Sequence, residues 1–427
     1  MGYRQAYQLI TSLKRFGGGR GLDAVREALE SIGNPQHNFS SIHIGGTNGK
    51  GSVSSIIESV LLRSGYTVGL YTSPHILKIN ERIRLNGRMV DNRTFASAVE
   101  VLVPVIRRND LSFFEALTLV AFKIFGDAGV DIGVIEVGLG GRLDATNLVK
   151  SILSVVTTID YDHVACLGDD LKSIAREKLG IARPGIPLVT GLEQVWLRPV
   201  FEDVSAARMV PLYFLDDDVL CGVSGLSPEG VRFTYRSPGW YCDDLFVPLA
   251  GAHQARNAAL AVRALELLDH RIEVGGEDLK DGLAEVALHG RFEIVRRAPH
   301  FIVLDVFHNR QGARVASRAL GDLFKDRDWY LIIGVAGDKD IDGIVDEMAA
   351  HMNGVITVRP SFGPLDREVG PSDLAPAFRG RGVPVSRAPS MRRALSNARS
   401  VMKDGDVLLV GGSFRTVAAA VSCLSRH

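Results

Sequence analysis

The chain has 427 residues, which at roughly 150 residues per domain is enough for two to three domains. Its 49 Lys plus Arg balance 49 Asp plus Glu, which excludes a basic nucleic-acid coat and a long acidic tail. The 46% hydrophobic and 23% charged residues describe an ordinary globular fold, so any anion recognition must be local. Four scattered cysteines (Cys166, Cys221, Cys242, Cys423) form no C-x-x-C pair, so neither a zinc knuckle nor a disulfide framework is expected. No apolar run approaches the ~18 residues of a membrane span. The first residues contain no long apolar region of the secretory kind. A cytoplasmic protein without nucleic-acid or membrane partners is therefore the expectation. The one excess is glycine: 45 residues, about one and a half times the usual ~7%, without a repeat period.

In chain order, Ser41–Gly46 reads as a buried strand, followed by a glycine-rich loop. Val53, Ile56, Ile57, Val60 and Leu61 then mark one helix face, with Gly65 as its stop. Val68–Thr72 is a strand. Leu117, Val120, Ala121, Ile124 and Phe125 repeat the helical spacing. Val130–Val137 and Ile152–Ile159 are strand-like runs. Alternation of this kind predicts βαβ units and a mostly parallel sheet. Between Val219 and Leu249 the pattern changes: Val231, Phe233 and Tyr235 alternate after a turn, which predicts antiparallel hairpins. Helix returns at His253–Leu268, and strands follow at Phe301–Asp305, Tyr330–Val335, Val355–Val358 and Val407–Val410. The expected fold class is α/β: an N-terminal P-loop-type, mostly parallel sheet domain over 1–290, a linker at 291–298, and a smaller C-terminal Rossmann-like α/β domain over 299–427.

The loop Gly45-Gly46-Thr47-Asn48-Gly49-Lys50-Gly51-Ser52 joins a strand to a helix. Glycines let backbone N–H groups turn toward an anion, and the helix N-terminus adds partial positive charge. Lys50 can reach β/γ-phosphates, and Ser52 can help hold Mg²⁺. The strict P-loop pattern fails twice, with Ile44 at the first glycine position and Gly51 between Lys50 and Ser52. Glu136 ends an apolar strand, where a carboxylate sits at the ligand-binding edge of a parallel sheet. Ser112 and Glu115 have the spacing of a capping box. Gly411-Gly412-Ser413-Phe414 fits a helix cap and an anion site equally. Cys166 and Cys423 are read as buried thiols, Trp196, Trp240 and Trp329 as packing residues, and Asp216-Asp217-Asp218 as a solvated turn rather than a metal site.

The run Ile42–Val53 closely resembles the nucleotide loop of the folylpolyglutamate synthase and dihydrofolate synthase family, in the Mur ligase superfamily. Further motifs follow in family order: Tyr71-Thr72-Ser73-Pro74-His75 with Asn80-Glu81-Arg82-Ile83-Arg84, which looks like the family's Ω-loop; Glu136–Asn147; Asp162-His163 with Leu167-Gly168; Arg176-Glu177-Lys178; His253-Gln254-x-x-Asn257-Ala258; and Gly290-Arg291-Phe292. The similarity spans nearly the whole chain. It implies ATP and one or two Mg²⁺ ions as cofactors. By resemblance, Thr47, Asn48, Gly49, Lys50, Gly51 and Ser52 hold nucleotide phosphates, and Ser73, Glu136 and His163 are metal ligands. Lys178 matches a lysine that the family carbamylates. Ser112, Phe113, Phe114 and Glu115, with Leu143, Asp144 and Ala145, match segments lining a pterin-side pocket, where Phe113 or Phe114 would stack on a pterin. Asn257 and Arg291 match ligands of adenine and phosphate, Asp305 of ribose, and His308 of the substrate amino acid.

The weakest match is Asp305-Val306-Phe307-His308-Asn309-Arg310, where the family usually shows Asp-Gly-Ala-His-Asn-Pro. The bulk of Val306 and Phe307 is expected to narrow the pocket, and Arg310 offers a guanidinium to a carboxylate. The resemblance implies an ATP-dependent ligase of the 6.3.2 type in folate biosynthesis, working as a monomer. It would join dihydropteroate or a tetrahydrofolate to L-glutamate through an acyl phosphate, with Lys50, Lys178 and His308 as its catalytic residues. The alternatives are a paralogue using another acid or amino acid, and an ATP-binding regulator without ligase activity.

Overall fold

The computed structural model describes residues 1–14, 21–359 and 369–425. The first eight strands are β1 (Ser40–Gly45), β2 (Val68–Tyr71), β3 (Ile83–Leu85), β4 (Arg88–Met89), β5 (Ile132–Glu136), β6 (Ser151–Val156), β7 (Leu188–Thr190) and β8 (Leu212–Phe214). They form one sheet in the order β4-β3-β2-β5-β1-β6-β7-β8. All pairs from β2 to β8 are parallel; β3 and β4 join as an antiparallel edge. The chain leaves β1 toward β2 on one side and returns to β6 on the other. The carboxyl ends of β1 and β5 therefore lie at a switch point, where open α/β sheets bind ligands.

Each face of this sheet carries its own core. On one side the helices Tyr3–Ser12, Asp23–Ser31, Asn92–Arg108 and Phe113–Ala128 bury Ile10, Leu29, Phe95, Leu102, Phe122 and Phe125. On the other, the helix Lys50–Arg63 packs beneath His253–Glu266 and Gly276–Ala284. The sequence suggests a single apolar face for Lys50–Arg63, but Ser52, Ser54, Ser55 and Glu58 are buried as well. The helix is sandwiched, so its polar side also loses solvent. The antiparallel unit expected after Val219 is a three-stranded sheet of β9 (Leu220–Ser227), β10 (Gly230–Arg236) and β11 (Tyr241–Val247) in the order β11-β10-β9. Val231, Phe233 and Tyr235 point into the same core as the helix His253–Glu266.

The remaining strands, β12 (Glu293–Arg296), β13 (Phe301–Asp305), β14 (Trp329–Ile333), β15 (Gly354–Val358), β16 (Val385–Ala388) and β17 (Val407–Gly411), form a second large sheet in the order β12-β13-β17-β14-β15-β16. It is parallel except for β12, which runs antiparallel to β13. The segment 291–298, expected as a linker, thus contains an edge strand of the C-terminal sheet. Four residues with only partial burial left too short an apolar pattern to read as a strand. Among the described residues no helix is long and apolar enough to cross a membrane.

Three packing expectations change. Cys166 is exposed on a one-turn helix, and Cys423, near the end of the last helix, is half-buried at the edge of the C-terminal core. Trp196 is 57% exposed, whereas Trp329 is buried and its indole N–H donates to the Phe324 carbonyl at 2.8 Å. Asp216, Asp217 and Asp218 are solvent-exposed as expected, but on a short helix; arginines Arg256, Arg198 and Arg263 pair with them at 2.6, 2.6 and 3.3 Å.

Candidate functional site

The loop after β1 is pinned from below. Thr47 N–H donates to the Thr158 carbonyl at 2.7 Å, and Thr47 Oγ1 donates to the Asp160 carbonyl at 3.1 Å. Gly49 then enters the helix with φ of 86°, a left-handed conformation that strains any residue with a Cβ. A Cβ there would also stand 2.7 Å from Asn257 Oδ1, so the helix His253–Glu266 closes against the loop only because Gly49 is bare. No side chain caps the helix Lys50–Arg63, which leaves its first N–H groups to an outside acceptor.

Cations collect around this N-terminus. Lys50 Nζ donates to the Gly46 and Thr47 carbonyls at 3.1 and 3.0 Å, and Lys178 Nζ donates to the same Gly46 carbonyl at 2.9 Å. Lys178 is 4% exposed, and burial plus the neighbouring Lys50 charge pulls its pKa down to about 7. Arg291 reaches in from the start of the C-terminal unit: a Cβ on Gly51 would lie 3.7 Å from Arg291 Nη2 and 3.9 Å from Glu136 Oε2. The one carboxylate among them, Glu136 at the end of β5, is 3% exposed. Burial raises its pKa, opposed by the charges of Lys50, Arg291 and Arg82. Glu136 Oε2 accepts the Ser73 N–H at 3.1 Å. Lys50, Lys178, Arg291 and Arg82 thus gather around Glu136, with Asp305 attracting Arg291 and Asp162 attracting Lys178 through space. A polyphosphate carrying a divalent metal would pair with these cations.

The structure brings Ser73 to Glu136. The imidazole of His163, in the loop after β6, lies 3.8 Å from Asp162 Oδ1 instead. His163 has φ of 49°, and burial lowers its pKa to about 4, which keeps the ring neutral and fit to ligate. Among the described residues no three His, Cys, Asp or Glu side chains cluster as a closed metal cage. Mg²⁺ keeps phosphate and water ligands, so a hydroxyl, a carboxylate and a neutral imidazole could complete its shell.

The C-terminal unit faces this loop through the start of the helix Arg310–Phe324. Asn48 Nδ2 donates to Gln311 Oε1 at 2.5 Å and to Asn309 Oδ1 at 3.2 Å. Asp162, almost wholly buried, takes His308 Nε2 at 3.0 Å and Lys339 Nζ at 2.6 Å, and these partners hold its carboxyl far below the usual carboxylate range. Sequence reasoning missed Lys339 and Gln311. Lys339 follows a parallel strand in a glycine-containing loop, the same signal that marked Lys50; nothing marked Gln311. Asp305 accepts the Phe292 and Phe307 N–H groups at 3.0 and 2.8 Å, and burial raises its pKa to about 6 against the pull of Arg291.

Two expectations about the segment after Asp305 change. Val306 and Phe307 are 2% and 3% exposed and enter the cores on opposite faces of the C-terminal sheet, so their bulk does not project into the cleft. Arg310 Nε donates to Glu347 Oε1 at 2.9 Å within its own unit. The capping reading of Ser413 is the one with a partner: its Oγ accepts the Thr416 N–H at 3.2 Å.

On the opposite side of the loop lie the segments expected to line a pterin pocket. Ser112 and Glu115 form the capping box, with Ser112 N–H and Oγ both donating to Glu115 Oε2 at 2.7 Å. The Phe114 ring lies over Gly138, where a Cβ would come within 2.3 Å, and beside Tyr71 with centroids 5.9 Å apart. Phe113, like Phe114, is half-buried. Asp144 accepts the Leu139 and Thr146 N–H groups at 2.8 and 3.0 Å and the Thr146 hydroxyl at 2.5 Å. Ala145 is buried, and Leu143 is 55% exposed.

Comparisons with known proteins place the chain as a whole. Residues 290–414 match the Mur ligase, glutamate ligase domain. The chain is 33% identical over its full length to a probable bifunctional folylpolyglutamate synthase/dihydropteroate synthase of Haloferax volcanii, of which it spans 51%. It is 32% identical to the dihydrofolate synthase/folylpolyglutamate synthase of Bacillus subtilis, over 82% of this chain and 84% of that one. A Mycobacterium tuberculosis folylpolyglutamate synthase complexed with ADP superposes with a TM-score of 0.92 at 29% identity, covering 100% of this chain and 98% of the other. A bifunctional folylpolyglutamate synthase/dihydrofolate synthase with Mn, AMPPNP and L-glutamate bound gives 0.88 at 29% identity over the same shares.

Proposed function

Because the chain belongs to the dihydrofolate synthase/folylpolyglutamate synthase family of ATP-dependent acid–amino-acid ligases, we propose that it joins the carboxylate of a dihydropteroate or folate to L-glutamate. The observation that carries this reading is the cluster of Lys50, Lys178 and Arg291 about the buried Glu136, at the N-terminus of a helix that no side chain caps.

Thr47 to Ser52 wrap the triphosphate with backbone N–H groups, and Lys50 leaves its carbonyl partners to follow the charge that develops on the transferred phosphoryl group. Ser73, Glu136 and His163 would hold Mg²⁺, which would supply charge neutralisation at the phosphates. Asn257 and Asp305 flank the nucleoside, and Arg291 closes on the phosphates from the C-terminal side. Phe113 and Phe114, with the Ser112–Glu115 and Leu143–Ala145 segments, hold the pterin end. The acid's carboxylate attacks the γ-phosphorus, ADP leaves, and the glutamate amine displaces phosphate from the acyl phosphate. His308, held by Asp162, presents the amino acid. Lys178 as a carbamate would supply an anion beside the metal site, and its lowered pKa supports this, since only the neutral amine attacks CO₂. Within this reading the protein acts as a cytoplasmic monomer. The departures at Val306, Phe307 and Arg310 give no support to a different second substrate, since their side chains are occupied within the C-terminal unit.

The test is phosphate release by purified protein with ATP, Mg²⁺, L-glutamate and either dihydropteroate or tetrahydrofolate. Release that requires all components is expected. Release independent of the pterin acid, or none, overturns the reading.

A further inference from the structure

One strongly basic group in the cleft has no role in the account above. Arg82 lies between the aromatic start of the helix Phe113–Ala128 and the end of β5. Only 7% of the residue is exposed. Its Nε donates to His75 Nδ1 at 2.9 Å, and its guanidinium carbon stands 5.3 Å from the centroid of the Phe113 ring. The Tyr71 hydroxyl also faces it. None of these partners carries a full negative charge. Glu81, the adjacent acid, spends its carboxylate on the N–H groups of Ile76, Leu77 and Lys78 at 2.7, 2.9 and 2.7 Å. Glu136 acts on Arg82 only through space, and its Oε2 is already bonded to Ser73.

A buried guanidinium without a carboxylate at hydrogen-bond distance is costly, and such charges are normally paired or hold a ligand. The Arg82 surroundings match an aryl carboxylate: an aromatic face on Phe113, a planar two-pronged donor, and the Ser73–Glu136 corner alongside. His75 fixes the guanidinium through Nε, and the neutral Tyr71 hydroxyl is its other hydrogen-bond partner, one that a bidentate carboxylate at the Nη edge would displace.

We propose that Arg82 binds the carboxylate of the acid substrate and holds it beside the phosphate loop before phosphoryl transfer. This rests on the pterin-acid reading above. The neighbouring rings give the contact its class preference, since Phe113 backs the guanidinium and the aryl group of the substrate continues along the same wall. His75 is a positioning residue that acts through Arg82.

The test compares two ligands on the full chain in the presence of AMPPNP and Mg²⁺: dihydropteroate, and its analogue lacking the carboxyl group. Calorimetric affinities are measured for the wild type, R82Q and R82K. The wild type is expected to favour the acid by at least about tenfold, the worth of a charge-assisted pair. R82Q should lose that preference while the analogue's affinity changes less than about threefold, and R82K should recover part of it. Unchanged AMPPNP affinity in R82Q and R82K confirms that both remain folded. Equal losses for the two ligands, or an R82Q that keeps the preference, overturn the Arg82 assignment alone. If R82Q does not fold, the assignment stands or falls on whether R82K narrows the preference. A wild type that binds AMPPNP but neither pterin overturns the pterin reading, and the Arg82 assignment with it.

Discussion

The two sides of the phosphate loop are built on opposite plans. On the pterin side the polar groups are spent inward: Ser112 and Glu115 bond each other, and Asp144 is consumed by Leu139 and Thr146. On the nucleotide side they are held in reserve. Lys50 and Lys178 are bonded only to carbonyls, Arg291 is attracted through space to Asp305 and Glu136, and a helix N-terminus is uncapped. The first arrangement shapes a wall; the second stores charge for a ligand. Substitutions should therefore damage stability on one side and turnover on the other.

The largest effect should come from the charged side. Lys50→Ala is expected to lower kcat by about 10²–10³, with little change in Tm, because its present partners are carbonyls of the same loop. Steady-state kinetics and a thermal melt separate the two. Asp144→Ala should do the reverse, costing about 3 kcal/mol in a urea titration by stranding buried donors, while AMPPNP affinity holds. An Asp144→Ala protein of unchanged stability would break the comparison. Next in size, His308→Ala should raise KM for glutamate about tenfold and leave KM for ATP within about twofold, since it removes one contact on the C-terminal side of the cleft.

Lys178 sharpens the contrast by titration. Its folded pKa of about 7 lies below the ordinary 10.5, so the unfolded state binds the extra proton between those values. The free-amine form should therefore gain stability as pH rises from about 7 toward 10.5. Over the lower part of that range ¹³CO₂ labelling of Lys178 should increase, read by NMR of the carbamate carbon. A label that falls with rising pH would count against a buried, neutral amine. The smallest effect is expected at Arg310→Ala: less than about twofold on glutamate KM, because the guanidinium is exposed and shared with Glu347.

Much of this architecture is readable from the chain. Phe301–Asp305 and the alternation of Val231, Phe233 and Tyr235 specify their strands because burial on one or both faces imprints a period. The phosphate loop is readable because glycines and a lysine between strand and helix have a local mechanical reason. What escaped depends on partners distant in sequence. Arg82 stood inside a recognised motif, but its lack of a counter-ion becomes visible only when Phe113, His75 and Glu81 are folded around it. The bulk of Val306 and Phe307 looked like an obstruction in the cleft because a linear pattern does not say which side of a strand end faces the ligand. The edge strand Glu293–Arg296 was hidden by its brevity and half-exposed faces.

That edge strand makes Arg291 a lever. Val306 N–H donates to the Gly290 carbonyl at 3.0 Å, Phe292 N–H to Asp305 at 3.0 Å, and Glu293 accepts Gly290 N–H at 2.8 Å. The arginine is thereby bolted to the C-terminal sheet while its tip works in the N-terminal one. Any rocking that parts the two sheets withdraws the guanidinium from the loop, and any rocking that delivers His308 and Lys339 to Asp162 returns it. In the proposed reaction, a rotation of one sheet against the other would therefore move the phosphate-side guanidinium and the His308–Lys339 pair together.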